Sequence, residues 1–428
     1  MKKVLLLTTH FFPDPTVAAV RATQWARWLP EFGWSPTVVT RHYGTTVTRE
    51  QLDEHVHPEV HVHYVGNVRS GWSGGLEKPS LGSRVRRTVS RSPLRAVWVP
   101  DIGIRFWNSV QDEICRVVGR VSPEVVITTS PPHSIHQAGF TVTERFPKLR
   151  WVADFRDPYR IDPRYQPRGA GRIVSHRHAG FERRIHERAD LVTTAIPIHA
   201  RWARRAFPDR PPPRLLLNGV PERLPEPGQD RTEDSPRRRS VRSVGVAGAD
   251  EALTLARAVA SLVAEGNDLE LRFTGPRFET ETQILSLLGD RVRFRGDVSH
   301  PEALREISDG DVLVALLSQE RARTLGLSSK VFEYLAIPVP VLVANPSRSD
   351  RRFFHNEEGL ALVNGEDENQ MKVAIKEGLG YPRTAFLGRS AEVRRRWGRR
   401  GQAGSLAQLL ASVARLDRDE TDHGVTPL

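Results

Sequence analysis

Residues 1–40, MKKVLLLTTHFFPDPTVAAVRATQWARWLPEFGWSPTVVT, predict a strand, a helix and a second strand in succession. Short apolar runs mark the two strands, at Val4–Thr9 and Pro36–Thr40. Between them, Val17–Phe32 has apolar side chains at three- and four-residue spacing, and Gly33 ends the helix. A strand, a helix and a strand in this order build a parallel sheet that is covered by helices.

The same alternation continues along the chain and is interrupted once, at 221–242, which is rich in Pro and charge and has no apolar periodicity. Before this linker, further strands are predicted at Val60–Val65, Val125–Thr128, Trp151–Phe155, Leu191–Ile196 and Leu215–Leu217. After it, strands are predicted at Val241–Ala247, Leu269–Thr274, Val292–Arg295, Val312–Leu316, Val339–Ala344 and Leu360–Val363, with helices at about 251–264, 280–288, 329–337 and 367–378. We therefore expect an α/β protein with two doubly wound domains, 1–220 and 243–382, a helical segment at 383–416 and a tail at 417–428.

The composition limits the partners, the metal sites and the cellular location that we expect. The 428 residues carry a net charge of +12 and include 56 arginines and 7 lysines. Arginine suits phosphate, so nucleotides, anionic lipids and nucleic acid all remain open as partners, and codon bias alone would also account for the excess. Cys115 is the single cysteine, which excludes an intrachain disulfide and a cysteine-based zinc site. No apolar run of about 18 residues and no signal peptide are recognised, so we expect a cytoplasmic location.

A basic segment, SRVRRTVSRSPLRAVW at 83–98, mixes arginines with apolar residues. This pattern is typical of a segment that lies on an anionic membrane surface, and it also fits a solvated loop. We expect peripheral contact with the inner membrane face under the first interpretation. No recognition motif for nucleic acid is present, so nucleic acid is not an expected partner.

Several loops at the predicted strand ends carry motifs. They are TTSPPHSIHQAG at 128–139, WVADFRDPY at 151–159, NGVP at 218–221 and LGLSSKVFEYLAIPVPVLV at 325–343. In this order they resemble the GT-B glycosyltransferases of glycosyltransferase family four, in the subgroup with S-P-P, R-D-P and S-K-x-x-E-Y motifs. The resemblance implies two Rossmann-like domains facing a central cleft, with the C-terminal helical segment crossing back to the first domain.

The resemblance also implies a function, which is transfer of a sugar from a nucleotide-diphosphate sugar to an acceptor hydroxyl. Retention at the anomeric carbon, with no bound metal and no other cofactor, is the expected course. The second domain would bind the donor, and the first would receive a glycan, a lipid-linked molecule or a small molecule as acceptor. Such an enzyme would act in polysaccharide, glycolipid or glycoside synthesis. The oligomeric state is not predicted.

The donor site is predicted around the helix that follows Gly326. Ser328 and Ser329 would open this helix and offer hydroxyl and N–H groups to a diphosphate. Lys330 adds a positive charge in the first turn, where the helix dipole disfavours it unless an anion is bound; a solvated lysine is the alternative. The resemblance assigns Glu333 to the ribose hydroxyls, and a surface ion pair is its alternative. The predicted donor-binding residues are Gly275, Arg277, Gly296, Val298, Gly326, Ser328, Ser329, Lys330 and Glu333.

The first domain supplies the candidate catalytic residues Arg156, Asp157, His133 and His136. Arg156 and Asp157 follow the fifth strand, where they would hold charge near the reacting sugar or pin the loop before Pro158. Either histidine would hydrogen-bond a sugar or relay a proton, or would be structural. Three further residues, Arg21, Ser130 and Asn218, are predicted to face the acceptor or phosphate.

Two departures from the family pattern leave other functions open. Leu325 stands where an E-x7-E pattern would place a glutamate, and the Arg/Lys pair that often follows the first strand of the second domain is absent. A degenerate protein that binds nucleotide or a partner without transfer, and a nucleotide-sugar 2-epimerase, are the alternatives. Asp309–Gly310–Asp311 is interpreted as a turn, and the His61 and His63 pair as a weak metal signal, so no metal site is predicted.

Overall fold

The computed structural model describes residues 1–66, 99–162, 172–225, 238–326 and 329–416. The chain divides into two compact units, of which the first comprises Met1–Asn218 with Gln402–Leu428 and the second Gly219–Gly401. The basic segment at 83–98 and the predicted donor residue Ser328 lie outside the described residues. Among the described helices, none has the length and apolar character that a bilayer span requires.

The first unit contains a parallel sheet with the strand order β3-β2-β1-β4-β5-β6-β7. Its strands are β1 Lys2–Thr8, β2 Trp34–Arg41, β3 His61–Val65, β4 Val125–Ser130, β5 Arg150–Phe155, β6 Leu191–Thr194 and β7 Arg214–Leu215. Its helices are α1 Val17–Trp28, α2 Arg49–Asp53, α3 Ile104–Ser109, α4 Gln111–Val121, α5 His136–Arg145, α6 Arg172–Arg188 and α7 Pro197–Ala206, with 3-10 turns at Leu29–Phe32 and His133–Ile135. The central strands β4 and β5 are buried along their whole length and β1 from Val4 onward, as expected of parallel strands with both faces covered.

The second unit contains a parallel sheet with the strand order β10-β9-β8-β11-β12-β13. Its strands are β8 Arg239–Val244, β9 Leu269–Thr274, β10 Val292–Arg295, β11 Val312–Leu316, β12 Val341–Ala344 and β13 Leu360–Val363. Its helices are α8 Ala249–Ala264, α9 Glu281–Leu288, α10 His300–Ser308, α11 Gln319–Thr324, α12 Lys330–Leu335, α13 Arg348–Phe353, α14 Glu368–Leu379 and α15 Leu387–Trp397, with 3-10 turns at Gly289–Arg291 and Arg383–Phe386. The predicted fold class, two Rossmann-like units of parallel strands alternating with helices, is confirmed.

The last helix, α16 Arg399–Ala414, contributes its residues from 402 onward to the first unit. Ala403, Leu406 and Leu410 are buried in one apolar cluster with Val4 and Leu6 of β1. This part of α16 therefore belongs to the core of the first unit, and the predicted tail, 417–428, lies outside the described residues.

The bounds of β8 differ from the predicted ones. The sequence predicts a linker up to residue 242 and a strand at Val241–Ala247, yet β8 begins at Arg239 and ends at Val244. Arg242 looks like a linker residue, but its side chain is buried and forms an ion pair with Glu306 at 2.8 Å. β8 stops because Gly245 adopts a φ of 89°, which is outside the strand region.

A buried charge network joins the middle of the first sheet. Asp154 of β5 lies directly opposite Thr129 of β4 and Thr193 of β6, and both hydroxyls donate to its carboxylate, at 2.6 and 2.7 Å. Arg21 of α1 donates to both carboxylate oxygens, at 3.0 and 2.8 Å. The same guanidinium donates to the carbonyls of Leu216 and Leu217, both at 2.8 Å, and to the side chain of Asn218 at 3.2 Å.

We expect Arg21→Met to destabilise the first unit strongly. The change leaves the Asp154 carboxylate buried without its cation, and loss of one partner of a buried ion pair costs about 3–5 kcal/mol. Urea denaturation followed by circular dichroism measures the effect. Arg27→Met, at an exposed position of the same helix, is the control. Equal midpoints for the two variants would contradict the role given to Arg21.

Candidate functional site

The candidate site lies at the carboxyl edge of the second sheet, where loops leave β8 and β9. Gly245 follows β8 with a φ of 89°, and Gly275 follows β9 with a φ of 140°. A Cβ atom at Gly275 would lie 2.8 Å from the carbonyl oxygen of Gly245. The two loops therefore approach this closely because residue 275 has no side chain, and Gly245 is required for its positive φ.

Tyr334 of α12 attaches this helix to the end of β8. Its hydroxyl donates to the carbonyl of Val244 at 3.0 Å and accepts from the N–H of Val244 at 2.8 Å. The ring is buried, and burial raises the pKa of the phenol above its usual range. The S-K-x-x-E-Y motif thus has a structural reason, because Tyr334 sets the position of residues one turn earlier on the same helix face.

Two arginines hold the other end of α12. Arg389 donates to the carbonyls of Leu335 at 3.2 Å and Val339 at 2.7 Å, and Arg394 donates to the carbonyl of Ala336 at 2.9 Å. These carbonyls follow the last turn of the helix, where a cation also complements the helix dipole. Arg389 is buried, and burial lowers its pKa to about 10.

Lys330, at the start of α12, points into the turn after β8. Its Nζ donates to the carbonyl of Val246 at 2.9 Å, and a Cβ at Gly245 would lie 3.9 Å from the same nitrogen. Burial, together with the nearby positive charge of Arg321 on α11, lowers the pKa of the ammonium to about 7. Two like charges beside a glycine turn favour a bound anion, because an anion would offset their mutual repulsion.

Glu333 lies on α12, three residues after Lys330, and its side chain is half-buried. It contacts His300, the first residue of α10. The Glu333 Oε1 to His300 Nε2 distance is 3.0 Å. Glu333 therefore has a side-chain partner of the kind that the alternative in the sequence analysis expects, and this partner places an imidazole beside the carboxylate predicted to bind ribose. Gly296 and Val298 lie in the loop between β10 and α10 that leads to this histidine.

The other predicted donor residues differ in their surroundings. The Arg277 side chain is 87% exposed, and its nearest carboxylate oxygen, on Glu281, is 3.9 Å away. Gly326 has a φ of 64°, and Ser329 is exposed. Leu325 is buried, so this position of the family pattern is part of the apolar packing here.

Sequence reasoning missed a second polar group at this edge. The Glu251 carboxylate, in the first turn of α8, is buried and accepts from the side-chain amide of Asn345 at 2.8 Å. The same amide donates to the carbonyl of Leu317 at 3.0 Å and so joins the loops after β8, β11 and β12. Burial raises the pKa of Glu251. The sequence signal for this residue is an acidic side chain in the first turn of the helix that follows β8.

At the carboxyl edge of the first sheet, a histidine and a carboxylate follow β1. His10 Nδ1 lies 2.6 Å from Asp14 Oδ2, and the His10 side chain is 23% exposed. Burial opposes the charge on Asp14, but hydrogen bonds from His10 and Thr16 lower its pKa overall. This pair, four residues apart in the loop quoted first, was not singled out from the sequence.

Arg156 and Asp157 lie on the same edge, after β5. Arg156 donates to the carbonyl of Ala18 at 2.9 Å, and its guanidinium is 3.7 Å from the Asp157 carboxylate. Both side chains retain some exposure, at 17% and 23%. The pair therefore joins the β5 loop to the start of α1 and still reaches solvent.

Five of the predicted site residues in the first unit are engaged with the protein or buried. Arg21 was predicted to face phosphate but is fully engaged with Asp154, and Asn218 accepts from the same guanidinium. Ser130 is buried and donates to the carbonyl of Asp154. His133 and His136 are both 0% exposed.

The two histidines lie in the core because the 3-10 turn after β4 directs them inward. His136 Nδ1 is 2.8 Å from the Thr128 hydroxyl, and burial lowers its pKa to about 3. The His133 ring packs 4.5 Å from that of Tyr159. Both imidazole rings are enclosed in the core, which agrees with the structural alternative for both residues.

The Asp309–Gly310–Asp311 segment forms a turn, as the sequence indicated. Asp311 Oδ2 accepts from the backbone N–H of Ser240 at 2.7 Å and from its hydroxyl at 3.2 Å. Both carboxylates therefore lie before β11, at the sheet edge opposite the candidate site.

Comparison with known proteins places this geometry in context. Residues 241–380 match the family model described as glycosyl transferases group 1. The match runs from β8 through α14 and includes the glycine turns, Lys330 and Tyr334. No curated protein matches the chain.

Solved structures match over nearly the whole chain. Sucrose-phosphate synthase from Thermosynechococcus elongatus has a TM-score of 0.64 at 17% identity, with 96% of this chain and 99% of that chain covered. Trehalose-6-phosphate synthase from Burkholderia multivorans has a TM-score of 0.58 at 12% identity, with 100% of each chain covered. Anabaena HepE, solved with UDP and glucose, has a TM-score of 0.58 at 13% identity, with 96% and 100% covered.

The fold is GT-B. At these identities the solved structures establish the architecture and leave the substrate open. The match to glycosyl transferases group 1 supports sugar transfer as the class of reaction.

The predicted contact between Lys330 and a diphosphate would make binding of a nucleoside diphosphate depend on pH. With a pKa of about 7, the ammonium is charged below this pH and loses its proton above it. Phosphate ionisation is nearly complete above about pH 7. The affinity for UDP should therefore fall by roughly tenfold between about pH 7 and 9, because a charge-assisted contact contributes about 1.5–3 kcal/mol. Calorimetry at several pH values measures it.

Lys330→Arg and Lys330→Ala are the matched variants. Arginine keeps its charge throughout this range, so Lys330→Arg should bind UDP with little pH dependence. Lys330→Ala should bind weakly at every pH, and uridine binding should be unaffected in all three proteins. The same pH dependence in the wild type and in Lys330→Ala would place Lys330 away from the diphosphate.

Proposed function

We propose that this protein is a retaining glycosyltransferase that moves a sugar from a nucleoside-diphosphate sugar to an acceptor hydroxyl. The observation that carries the proposal is the position of Lys330 over the glycine turn after β8, within the stretch that matches glycosyl transferases group 1. A diphosphate bound there would meet the ammonium of Lys330 and the N-terminus of α8, which follows this turn.

The second unit would bind the donor. Lys330, with Arg321 nearby, would stabilise the negative charge that develops on the departing diphosphate, so this step needs no metal ion. Glu333 would accept hydrogen bonds from the ribose hydroxyls, with His300 fixing the direction of its carboxylate. The predicted residues Gly275, Gly296 and Val298 would contribute backbone groups from neighbouring loops.

The first unit would bind the acceptor. His10 is partly exposed and oriented by Asp14, so it is the better candidate for handling the acceptor proton than the enclosed His133 and His136. Arg156 and Asp157 would position the acceptor beside it. A glycan, a lipid-linked molecule or a small molecule remains the acceptor class, and membrane contact through 83–98 stays a prediction.

The proposed reaction predicts acceptor-dependent release of nucleoside diphosphate. Nucleotide sugars that raise the melting temperature would be incubated with candidate acceptors, and the product's anomeric configuration would be read by NMR. The expected product keeps the configuration of the donor. Interconversion of the donor sugar without acceptor would support a 2-epimerase instead, and binding without transfer, hydrolysis or interconversion would support a degenerate binding protein.

Variants of the first unit should separate turnover from donor binding. His10→Gln, Arg156→Ala and Asp157→Asn should lower kcat by at least about tenfold while UDP affinity stays within about twofold, because these residues contact the acceptor side only. His176→Gln, at an exposed position of α6, is the control. Donor affinity that falls in parallel with kcat would contradict this division of roles.

A further inference from the structure

A buried cluster of three metal-ligating side chains lies in the core of the first unit, and the transfer reaction does not use it. Glu182 and His186 stand one turn apart on the same face of α6, and His199 lies in the first turn of α7. Glu182 and His199 are 0% exposed and His186 is 3% exposed. Burial of glutamate and histidine side chains is costly unless their polar atoms form hydrogen bonds, ion pairs or metal bonds.

The potential ligand atoms converge on one point. One carboxylate oxygen of Glu182 and one ring nitrogen of each histidine all lie within 4.8 Å of one another. Glu182 Oε1 is 3.8 Å from His199 Nε2. In a tetrahedral zinc site with bonds of about 2.0–2.2 Å, neighbouring ligand atoms lie about 3.3–3.6 Å apart. A small contraction would therefore bring the cluster to coordination geometry.

The two imidazole rings lack hydrogen bonds on the side that faces the cluster. Nε2 of His186 and Nε2 of His199 are buried without a hydrogen-bond partner in the described part of the chain, and the Glu182 carboxylate is buried between them and the backbone of Arg160. Buried polar atoms in native proteins are nearly always paired, so two orphaned ring nitrogens beside a buried carboxylate indicate a missing ligand. Carboxylate oxygens and unprotonated imidazole nitrogens are lone-pair donors, and the ligand that suits them is a cation.

The surroundings hold the two imidazole rings in position. His199 Nδ1 lies 2.9 Å from the Thr194 hydroxyl at the end of β6. When Nδ1 donates to that hydroxyl, Nε2 carries a lone pair directed at Glu182, which is the outer-shell arrangement of metal-binding histidines. The His186 ring stacks on Phe207 with centroids 4.2 Å apart, and the His199 ring stacks on Trp202 at 5.8 Å.

We propose that Glu182, His186 and His199 bind one divalent transition-metal ion, for which Zn²⁺ is the best chemical match. Two neutral imidazoles and one carboxylate form a mixed nitrogen and oxygen donor set that Zn²⁺ prefers, whereas Mg²⁺ and Ca²⁺ prefer oxygen alone. The ion would tie α6 to α7 and stabilise the first unit. Its role is structural, so the proposal is independent of the proposed transfer reaction.

Two arginines lie near this site. Arg160 is close to Glu182, and Arg210 Nε donates to the carbonyl of His186 at 3.0 Å. Both arginines oppose a further positive charge, so the Glu182 carboxylate is the ligand on which binding of a cation depends.

Metal analysis of the full chain tests the proposal. Protein carrying no polyhistidine tag would be loaded with Zn²⁺, desalted and analysed by mass spectrometry of the metal. One zinc per chain is expected for the wild type, with a loss of most of it in Glu182→Gln and in His199→Gln. His61→Gln and His176→Gln, which change exposed histidines, are the controls and should keep the zinc.

Two measurements on the wild type alone keep the test decisive where a variant fails to fold. Zn²⁺ added to chelator-treated protein should raise the melting temperature, and a chelator should reverse the rise. Co²⁺ should give the visible absorption bands of a tetrahedral site, and Zn²⁺ should remove them. Substoichiometric zinc with an unchanged melting temperature would overturn the proposal, as would full retention of zinc in folded Glu182→Gln and His199→Gln.

Discussion

The position of Lys330 depends on the two-way hydrogen bond between Tyr334 and the backbone of Val244. The bond attaches α12 to the last residue of β8, and Lys330 lies one turn earlier on the same helix face. Arg389 holds the other end of the helix through carbonyl groups. Because α12 is only six residues long, these contacts rather than helix propensity fix its direction. The ammonium is thereby held over the glycine turn, with its pKa lowered toward neutrality.

The first unit depends on a different constraint, which is the charge balance of its core. Asp154 would be costly to bury alone, but Arg21 and two threonine hydroxyls satisfy it and tie α1 to three strands and to Leu216 and Leu217. The polar groups beside this network behave differently. His136 is neutral because burial lowers its pKa, and within the described residues Nε2 of His186 and Nε2 of His199 have no hydrogen-bond partner beside Glu182. Buried polar residues of the first unit thus have two roles. Those around Asp154 hold the sheet together, and Glu182, His186 and His199 form the proposed metal site.

The sequence predicted the strands closely, because buried parallel strands are short apolar runs: Leu269–Thr274, Val292–Arg295, Val312–Leu316 and Leu360–Val363 have the same bounds in the structure. It placed the start of β8 at Val241, two residues late, because Arg239 and Ser240 continue the polar composition of the linker. Motifs indicate which strand ends carry polar residues but not the direction of each side chain. Arg21, Ser130, His133 and His136 lie at or near such strand ends and are buried, whereas His10, which carries no motif, is partly exposed. Those directions follow from packing, which no spacing rule encodes.

A crystal structure of the wild-type protein with UDP tests the central claim most directly, because it shows where the diphosphate lies. The account predicts phosphate oxygens within hydrogen-bond distance of Lys330 Nζ and of backbone N–H groups in the turn that follows Gly245, with the ribose near Glu333. A diphosphate bound away from both Lys330 and that turn, or UDP held by the nucleoside with its phosphates in solvent, would contradict it.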